Sequence, residues 1–215
     1  MKTRHLVIGM GEIGKGLAEV LCCGGIDKND PIPEAGIIHI CFPYAENFVH
    51  EVRRYKMNTC ARLTIVHATV PVGTVRQCGA DVVHSPIRGK HPHLADGIRT
   101  FTKFFGGRKS REAATHFSAL GIKTVVTGKS ENTEAMKLWD TEIYREAILL
   151  NKRIKRFCTK HNLDFDIVYT QANKTYNEGY ARLGHPEYAK YILKYINGPI
   201  GGHCVQQNHR IFTRV

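Results

Sequence analysis

The sequence contains no long hydrophobic run. Its longest apolar stretches, HLVIG and GIIHICF, are far shorter than the roughly 20 residues that cross a bilayer. Its seven cysteines include no C-x-x-C pair, and their scatter is typical of free thiols in a reducing compartment. Zinc-ligand spacing, RNP-type aromatic patterns, basic leucine zippers, repeats and low-complexity segments are also absent. These absences predict a cytoplasmic protein without a removed signal peptide, a structural metal or a membrane span.

Acidic residues are scarce as well. The chain has 19 Asp and Glu against 31 Lys and Arg, which gives a formal net charge of +12. Such a charge suits a nucleic-acid binder, and it equally suits a protein whose ligands carry phosphates. The densest basic groups, residues 53–56 and 152–156, fall in stretches of helical pattern. Solvated helix faces therefore explain much of the excess, and nucleic-acid binding is the least favoured alternative.

Short apolar runs alternate with amphipathic stretches in the first 128 residues. We predict helices at residues 13–21, 46–57 and 110–120 between the strands. The predicted strands are residues 5–8, 37–42, 63–67, 81–84, 102–105 and 123–126, with a short strand ending at Asp27. This alternation is typical of an α/β fold of Rossmann type, with a mostly parallel sheet and helices on both faces.

The pattern changes after residue 128. Residues 130–161 contain no Gly or Pro, and their apolar positions recur at intervals of three and four, which predicts one long helix. A helix of about 30 residues is roughly 45 Å long, more than a small domain needs, so we expect part of it to pack on a second copy. Further helices near 165–175 and 186–196 complete a small all-helical region. The predicted domains are therefore 1–128 and 129–215.

A glycine-rich motif follows the first predicted strand. It consists of Gly9, Met10, Gly11, Glu12, Ile13 and Gly14, which fit G-x-G-x-x-G between a strand and a helix. Gly9 allows a tight turn, Gly11 leaves room for a pyrophosphate, and Gly14 lets helix and strand approach closely. The amides at the start of the helix then bind the phosphate. The motif predicts a dinucleotide site.

An acidic residue about 20 positions beyond the first glycine binds the adenosine ribose in such sites. Asp27 and Asp30 both stand at this distance, and Asp27 is favoured because it ends the short second strand. A carboxylate there repels a 2′-phosphate and so favours NAD over NADP, although Lys28 beside it weakens the preference.

Four further segments, in this order, resemble the UDP-glucose/GDP-mannose dehydrogenase family. They are IIHICFP, ATVPVGT, VVHSPIRGKHPHLADGIRTFTKFFGG, and the pair NTEAMKLWDTEIYREA and GPIGGHC. The resemblance implies an NAD-binding domain over residues 1–128, with Pro43 and Thr69 among the residues that contact the cofactor. It also implies a helical dimerisation and substrate region over 129–215. Members of the family oxidise the C6 alcohol of a nucleotide sugar with NAD.

The resemblance also implies roles for individual side chains. Cys204 in GGHC matches the family nucleophile, and a thiolate attacks an aldehyde to form a thiohemiacetal that is oxidised to a thioester and hydrolysed. Lys137 matches the lysine that stabilises negative charge on the substrate oxygen. Thr141, one helical turn later, stands where the family has Asn. Thr69 matches a threonine that positions water.

Three departures from the family pattern concern the hydrolytic half of the reaction and the length of the chain. Ile87 replaces the glutamate of the S-P-E motif, and Asn208 replaces an aspartate four residues after the cysteine. Neither side chain acts as a general base. The sequence ends at Val215, before the family's C-terminal domain for the substrate nucleotide. The sequence therefore predicts a dehydrogenase with an incomplete catalytic set, and a non-catalytic NAD-binding dimer is the alternative.

Overall fold

The computed structural model describes residues 4–89, 92–200 and 202–213. The chain forms two compact units. We call the first, which runs to Leu138 and includes the last residues from Ile211, the sheet unit, and we call residues Trp139–Arg210 the helical unit.

The described residues of the sheet unit form one seven-stranded sheet. Its order is β2-β1-β3-β4-β5-β6-β7, and its neighbouring strands are parallel except for β5 and β6. The prediction of a mostly parallel Rossmann-type sheet is confirmed. The strands are β1 His5–Ile8, β2 Gly24–Ile26, β3 Ile37–Ile40, β4 Leu63–Val66, β5 Val82–His84, β6 Lys103–Gly106 and β7 Thr124–Gly128.

Helices cover both faces of this sheet. Alternate residues of a strand point to opposite faces, so Leu6 and Ile8 pack with α2 and α3, whereas Val7 packs with α1, α4 and α5. The short helices α3 and α4 lie in segments where the sequence pattern predicts no helix, because five to seven residues carry too little periodicity. The helices are α1 Glu12–Leu21, α2 Phe48–Thr59, α3 Thr74–Cys78, α4 Leu94–Thr100 and α5 Ser110–Ser118.

The long helix α6, Ser130–Lys160, begins in the sheet unit and continues through the helical unit. It confirms the predicted helix over 130–161. The predicted helix near 165–175 is observed as a π-helical stretch, Asp166–Gln171, which continues directly into α7, Ala172–Arg182. The sequence pattern does not predict α8, His203–Phe212.

The predicted helix over residues 186–196 is wrong. Only Pro186–Tyr188 form a single 3₁₀ turn, and the residues after it have no regular structure. Side chains of the neighbouring helices bind the backbone of residues 189–198, which we call the tethered segment. Asn177 binds both the N–H and the C=O of Lys190, at 2.7 and 2.9 Å. These bonds replace those of a helix.

The side chains of Tyr169 and Asn151 fix the middle of the tethered segment. The Tyr169 hydroxyl donates to the Tyr191 carbonyl and accepts from the Leu193 amide at 3.0 Å. Asn151 of α6 donates to the Leu193 carbonyl at 2.9 Å. Tertiary hydrogen bonds of this kind are not visible in the apolar spacing that predicts a helix.

No helix within the described ranges is long and apolar enough to span a membrane. All seven cysteines, which lie within those ranges, are free thiols.

Candidate functional site

The glycine loop between β1 and α1 is shaped by two close backbone contacts. Gly9 has φ +95°, and its N–H donates to the Ile26 carbonyl at 2.8 Å. A Cβ on Gly9 would lie 2.7 Å from the Phe42 nitrogen, and one on Gly14 would lie 1.9 Å from the Gly9 carbonyl oxygen. Both positions therefore require glycine, and they hold α1 tightly against the sheet.

Gly11 differs from these two glycines. It is the N-cap of α1, its φ of −69° suits any residue, and a Cβ there would meet nothing within 4 Å. Glu12 is the exposed first residue of α1, and Ile13 is half-buried. The open surface above Gly11 faces the first-turn amides of α1, which no intrahelical carbonyl can satisfy. Such an arrangement is typical of sites that bind an anion such as a phosphate.

Asp27 lies beside the glycine loop, where the short strand β2 ends. Its carboxylate accepts a 2.7 Å hydrogen bond from the Met10 N–H, within the motif itself. The Asp30 carboxylate accepts from the Asp27 N–H at 2.8 Å, so Asp30 closes the turn that follows β2. Of the two acidic candidates, Asp27 is therefore the one that contacts the glycine loop, and it is exposed to an incoming ligand.

Pro43 and Thr69 follow β3 and β4 at the same carboxyl edge of the parallel strands as the glycine loop. Pro43 is exposed and Thr69 is half-buried. Ligands of open α/β sheets bind at this edge. The nine residues assigned to the cofactor thus lie along one edge of the sheet unit, and their contacts with a cofactor stay predictions.

Glu134 of α6 fixes the loop that follows Thr69, and the sequence pattern did not reveal it. Its buried carboxylate accepts hydrogen bonds from the Gly73 and Val75 amides, at 2.6 and 2.8 Å. Burial raises the pKa of this carboxyl, while the two amides oppose that effect. A glutamate in an amphipathic stretch gives no sign in the sequence of such a contact. Glu134 ties the start of α6 to the carboxyl edge of the sheet.

The predicted catalytic side chains are divided between the units. Lys137 is half-buried and lies in the sheet unit. Burial lowers the pKa values of His84 and Lys103, and the positive charge of Lys137 acts in the same direction to a smaller extent. Thr141 is half-buried on the part of α6 within the helical unit. Ile87 packs in the apolar cluster of the sheet, as a core residue.

Cys204 and Asn208 lie on α8, in the helical unit. Cys204 is exposed near the start of the helix, and Asn208 is buried one turn later. Within this unit α8 is joined to α6 by His209, which contacts the buried Glu142 carboxylate at 3.0 Å. Gly201 and the His203 side chain, which belong to the GPIGGHC segment before Cys204, lie outside the described residues. The catalytic roles stay predictions.

A row of buried polar side chains crosses the same face of the sheet as the α1 and α5 cluster. His5, His39, His67, Ser85 and Lys103 belong to five neighbouring strands or their ends. From β1 to β3 to β4, each successive histidine lies two residues closer to the carboxyl edge. Val7 pairs with His39, and His39 pairs with Ile65. Histidines within otherwise apolar strands are the signal in the sequence that could have revealed this row.

The fold and the loop geometry define a Rossmann-type α/β protein with a dinucleotide-type glycine loop. No family model and no curated protein matches the sequence. Solved structures match the fold. UDP-D-ManNAc dehydrogenase from Pyrococcus horikoshii has a TM-score of 0.74 at 15% identity, over 97% of this chain and 63% of that one. The present chain thus spans less than two-thirds of the length of that enzyme.

Two further structures have the same fold. UDP-N-acetyl-mannosamine dehydrogenase from Staphylococcus aureus has a TM-score of 0.66 at 15% identity, over 97% of this chain and 67% of that one. 3-Hydroxyisobutyrate dehydrogenase from Mycobacterium tuberculosis has a TM-score of 0.62 at 18% identity, over 76% of this chain and 67% of that one. At such identities the similarity establishes the fold alone.

Proposed function

We propose that this protein is an NAD-dependent oxidoreductase that oxidises an alcohol group of a sugar phosphate or nucleotide sugar. The glycine loop is the observation that carries the proposal: Gly9 and Gly14 are sterically required, and Gly11 alone leaves open space at the start of α1. The similarity of the fold to two nucleotide-sugar dehydrogenases supports the substrate class. The net charge of +12 is compatible with a phosphorylated substrate.

The residues at the carboxyl edge fit a nicotinamide dinucleotide. Amides of the first turn of α1 would hold the pyrophosphate above Gly11, and the exposed Asp27 would bind ribose hydroxyls. The Asp27 carboxylate disfavours a 2′-phosphate, which supports NAD as the cofactor. A bound nicotinamide supplies a hydride acceptor for the alcohol carbon.

The chain's own residues would act on the substrate as follows. Lys137 places a positive charge near the carboxyl edge, where it stabilises negative charge that develops on the substrate oxygen. Glu134 holds the loop after Thr69 in position. Cys204 is accessible for attack on an aldehyde carbon. Ile87 and Asn208 offer no general base, so the proposal commits to oxidation of the alcohol and not to thioester hydrolysis.

Substitution of Gly11 tests the cofactor site. Gly11→Asp should reduce affinity for NADH, measured by fluorescence titration, at least tenfold, because the new carboxylate repels the pyrophosphate. Aspartate is a favoured N-cap residue, so the fold should keep its stability. Gly24→Asp is the matched control, since a Cβ there also meets nothing within 4 Å and the added charge is the same. Equal affinity in both variants would rule out the site.

A substrate panel tests the activity. NADH formation should be observed at 340 nm with at least one member of a set of UDP-sugars, GDP-sugars and simple sugar phosphates. Confirmed NAD binding without turnover of any of them would refute the dehydrogenase activity and favour a non-catalytic NAD-binding protein.

A second candidate function is a dimeric NAD-binding module without catalysis, which the buried apolar Ile87 favours. Alkylation followed by peptide mapping separates the two functions. Cys204, Cys22 and Cys60 are all exposed, so the latter two serve as internal controls. An enzyme nucleophile should be alkylated at least tenfold faster than the controls at neutral pH, whereas equal rates would favour the module.

A homodimer through α6 belongs to both candidate functions. Ile143, Leu150 and Phe157 are exposed at intervals of seven residues, so they form one apolar stripe along the helix. Leu150→Glu should convert the dimer to a monomer in analytical ultracentrifugation. Arg156→Glu, an exposed position away from the stripe, is the control and should leave the dimer intact. A wild-type monomer would exclude this interface.

A further inference from the structure

Three histidine rings form an unbroken chain of hydrogen bonds across one face of the sheet. The Nδ1 of His5 lies 2.9 Å from the Nε2 of His39, and the Nδ1 of His39 lies 3.0 Å from the Nε2 of His67. The Nδ1 of His67 then lies 2.7 Å from the Ser85 carbonyl oxygen. The Lys103 amine joins this end, at 3.1 Å from the same carbonyl and 3.4 Å from the His67 Nδ1.

The partners of the rings allow two complete arrangements of their protons. In the first, His67 Nδ1–H donates to the Ser85 carbonyl, so His67 Nε2 accepts from His39 Nδ1–H, and His39 Nε2 accepts from His5 Nδ1–H. In the second, the Lys103 ammonium donates to His67 Nδ1, and every ring carries its proton on Nε2 instead. The short 2.7 Å contact corresponds to the first arrangement.

The two arrangements differ by the transfer of one proton along the chain. Lys103 gives a proton to His67 Nδ1, His67 gives its Nε2 proton to His39, and His39 gives its Nε2 proton to His5, which releases its own Nε2 proton. Lys103 becomes a neutral amine, the three rings remain neutral, and one proton leaves at His5. No ring has to stay charged inside the protein, where a charge is costly.

The surroundings keep the rings neutral and the amine easily deprotonated. His39 and His67 are fully buried, and burial, followed by nearby His5 and Lys103 respectively, holds their pKa values well below the ordinary value. Burial also lowers the pKa of Lys103 to about 7, with the charge of Lys137 acting in the same direction and the Cys41 thiol acting against it. Neutral imidazole can donate and accept at once, as a relay requires.

The remaining titratable neighbours lie near His5, which is the outer end of the histidine chain, and beside the rings. His116 of α5 meets the His5 ring edge-on with centroids 5.5 Å apart, and both rings are half-buried. Arg62 and Glu112 act on His116, and Arg62 also acts on His5. His84 acts weakly on His67. The outer end, at His5, therefore reaches the surface of the sheet unit beside the His116 ring, which can take up a proton.

The inner end lies at the carboxyl edge of β4 and β5. The Ser85 hydroxyl there is fully buried and makes no hydrogen bond to any residue in the described ranges. Lys137 is close enough for its charge to act on Lys103. The cation assigned to the substrate oxygen and the end of the histidine chain thus lie in one neighbourhood.

We propose that His67, His39 and His5 form a buried proton relay that carries a proton from the Lys103 amine at the carboxyl edge to the surface at His5. Oxidation of an alcohol by hydride transfer to a nicotinamide also releases the hydroxyl proton, and the relay would remove it from the site. This use of the relay rests on the oxidoreductase function proposed above, whereas the coupled change of tautomers does not.

The relay is tested by ¹⁵N NMR of histidine-labelled full-length protein, which reads the protonated nitrogen of each ring. As the pH rises through about 7, Lys103 loses its proton, and His67, His39 and His5 should change together from Nε2–H to Nδ1–H. His84 is the internal control, because its Nε2–H donates to the Ala68 carbonyl and fixes the tautomer. Rings that keep one tautomer on both sides of pH 7 would overturn the proposal.

Two variants test which group causes the change of tautomer and whether the change passes along the histidine chain. Lys103→Met should hold all three rings in the Nδ1–H form on both sides of pH 7. His39→Gln should leave the change at His67 and abolish it at His5, because an amide cannot pass on a proton by changing tautomer. A change that survives Lys103→Met would refute the coupling. NADH titration of the same samples is independent: coupled tautomers without cofactor binding would keep the relay and exclude the oxidoreductase.

Discussion

In the sheet unit, polar histidines lie inside the apolar face of the sheet, whereas in the helical unit large apolar side chains lie on the surface. His39 and His67 are at most 1% exposed, but Ile143 is 62% and Leu183 is 70% exposed. The first unit packs apolar side chains on both faces of its sheet and buries polar side chains among those of one face. The second unit leaves large apolar side chains exposed, as proteins do at surfaces that bind a partner.

The largest effect should come from two matched glycines, one in each unit. Gly14→Ala should destabilise the protein by about 3 kcal/mol, because the new Cβ meets the Gly9 carbonyl oxygen. Gly179→Ala, on α7 where a Cβ meets nothing within 4 Å, should instead stabilise it by about 0.5 to 1 kcal/mol through helix propensity. Urea denaturation measures both. If both substitutions changed the free energy of unfolding in the same direction, the contrast between the closely packed Gly14 and the open Gly179 would be wrong.

An intermediate effect should come from the buried amine. The pKa of Lys103 is about 7 in the folded protein, against an ordinary value of 10.5, so in this interval the unfolded chain binds one more proton. Stability should therefore rise by about 1.4 kcal/mol per pH unit between about pH 7 and pH 8, below the ordinary pKa of the thiols, because burial raises the pKa of Cys23, Cys41 and Cys78 and opposes the rise at higher pH.

Lys103→Met should remove this rise, as denaturation at a series of pH values would measure. Lys174→Met, at an exposed lysine of α7, should leave it in place. A rise that persists in Lys103→Met would show that the row of polar groups is not the source of the pH dependence.

The smallest effect should come from the tethered segment of the helical unit. Tyr169→Phe removes the hydroxyl that binds the Tyr191 carbonyl and the Leu193 amide, and it should cost about 1 kcal/mol. Limited proteolysis should then cleave residues 189–198 faster. Tyr188→Phe, at an exposed tyrosine of the same unit, is the control. Unchanged proteolysis would mean that the other side chains hold the segment alone.

Local pattern predicted most of the sheet unit. Apolar runs located the strands to within about two residues, because a parallel strand covered on both faces is apolar along most of its length. The motif from Gly9 to Gly14 located the glycine loop, because Gly9 and Gly14 are required by local sterics and Gly11 leaves open space beside them. The same reasoning failed for residues 186–196, where apolar spacing fits a helix but Asn177 and Tyr169, distant in sequence, bind the backbone.

The alternation of strands and helices, the long α6 and the glycine loop could therefore be predicted from local pattern, since these depend on neighbours within a few residues. Which distant groups meet is seen only in the folded chain. Glu134 binds amides about 60 positions away, and His5, His39, His67 and Lys103 come from separate strands. A hydrogen bond needs two partners at about 3 Å, and strand order and register, which the sequence pattern does not encode locally, bring them together.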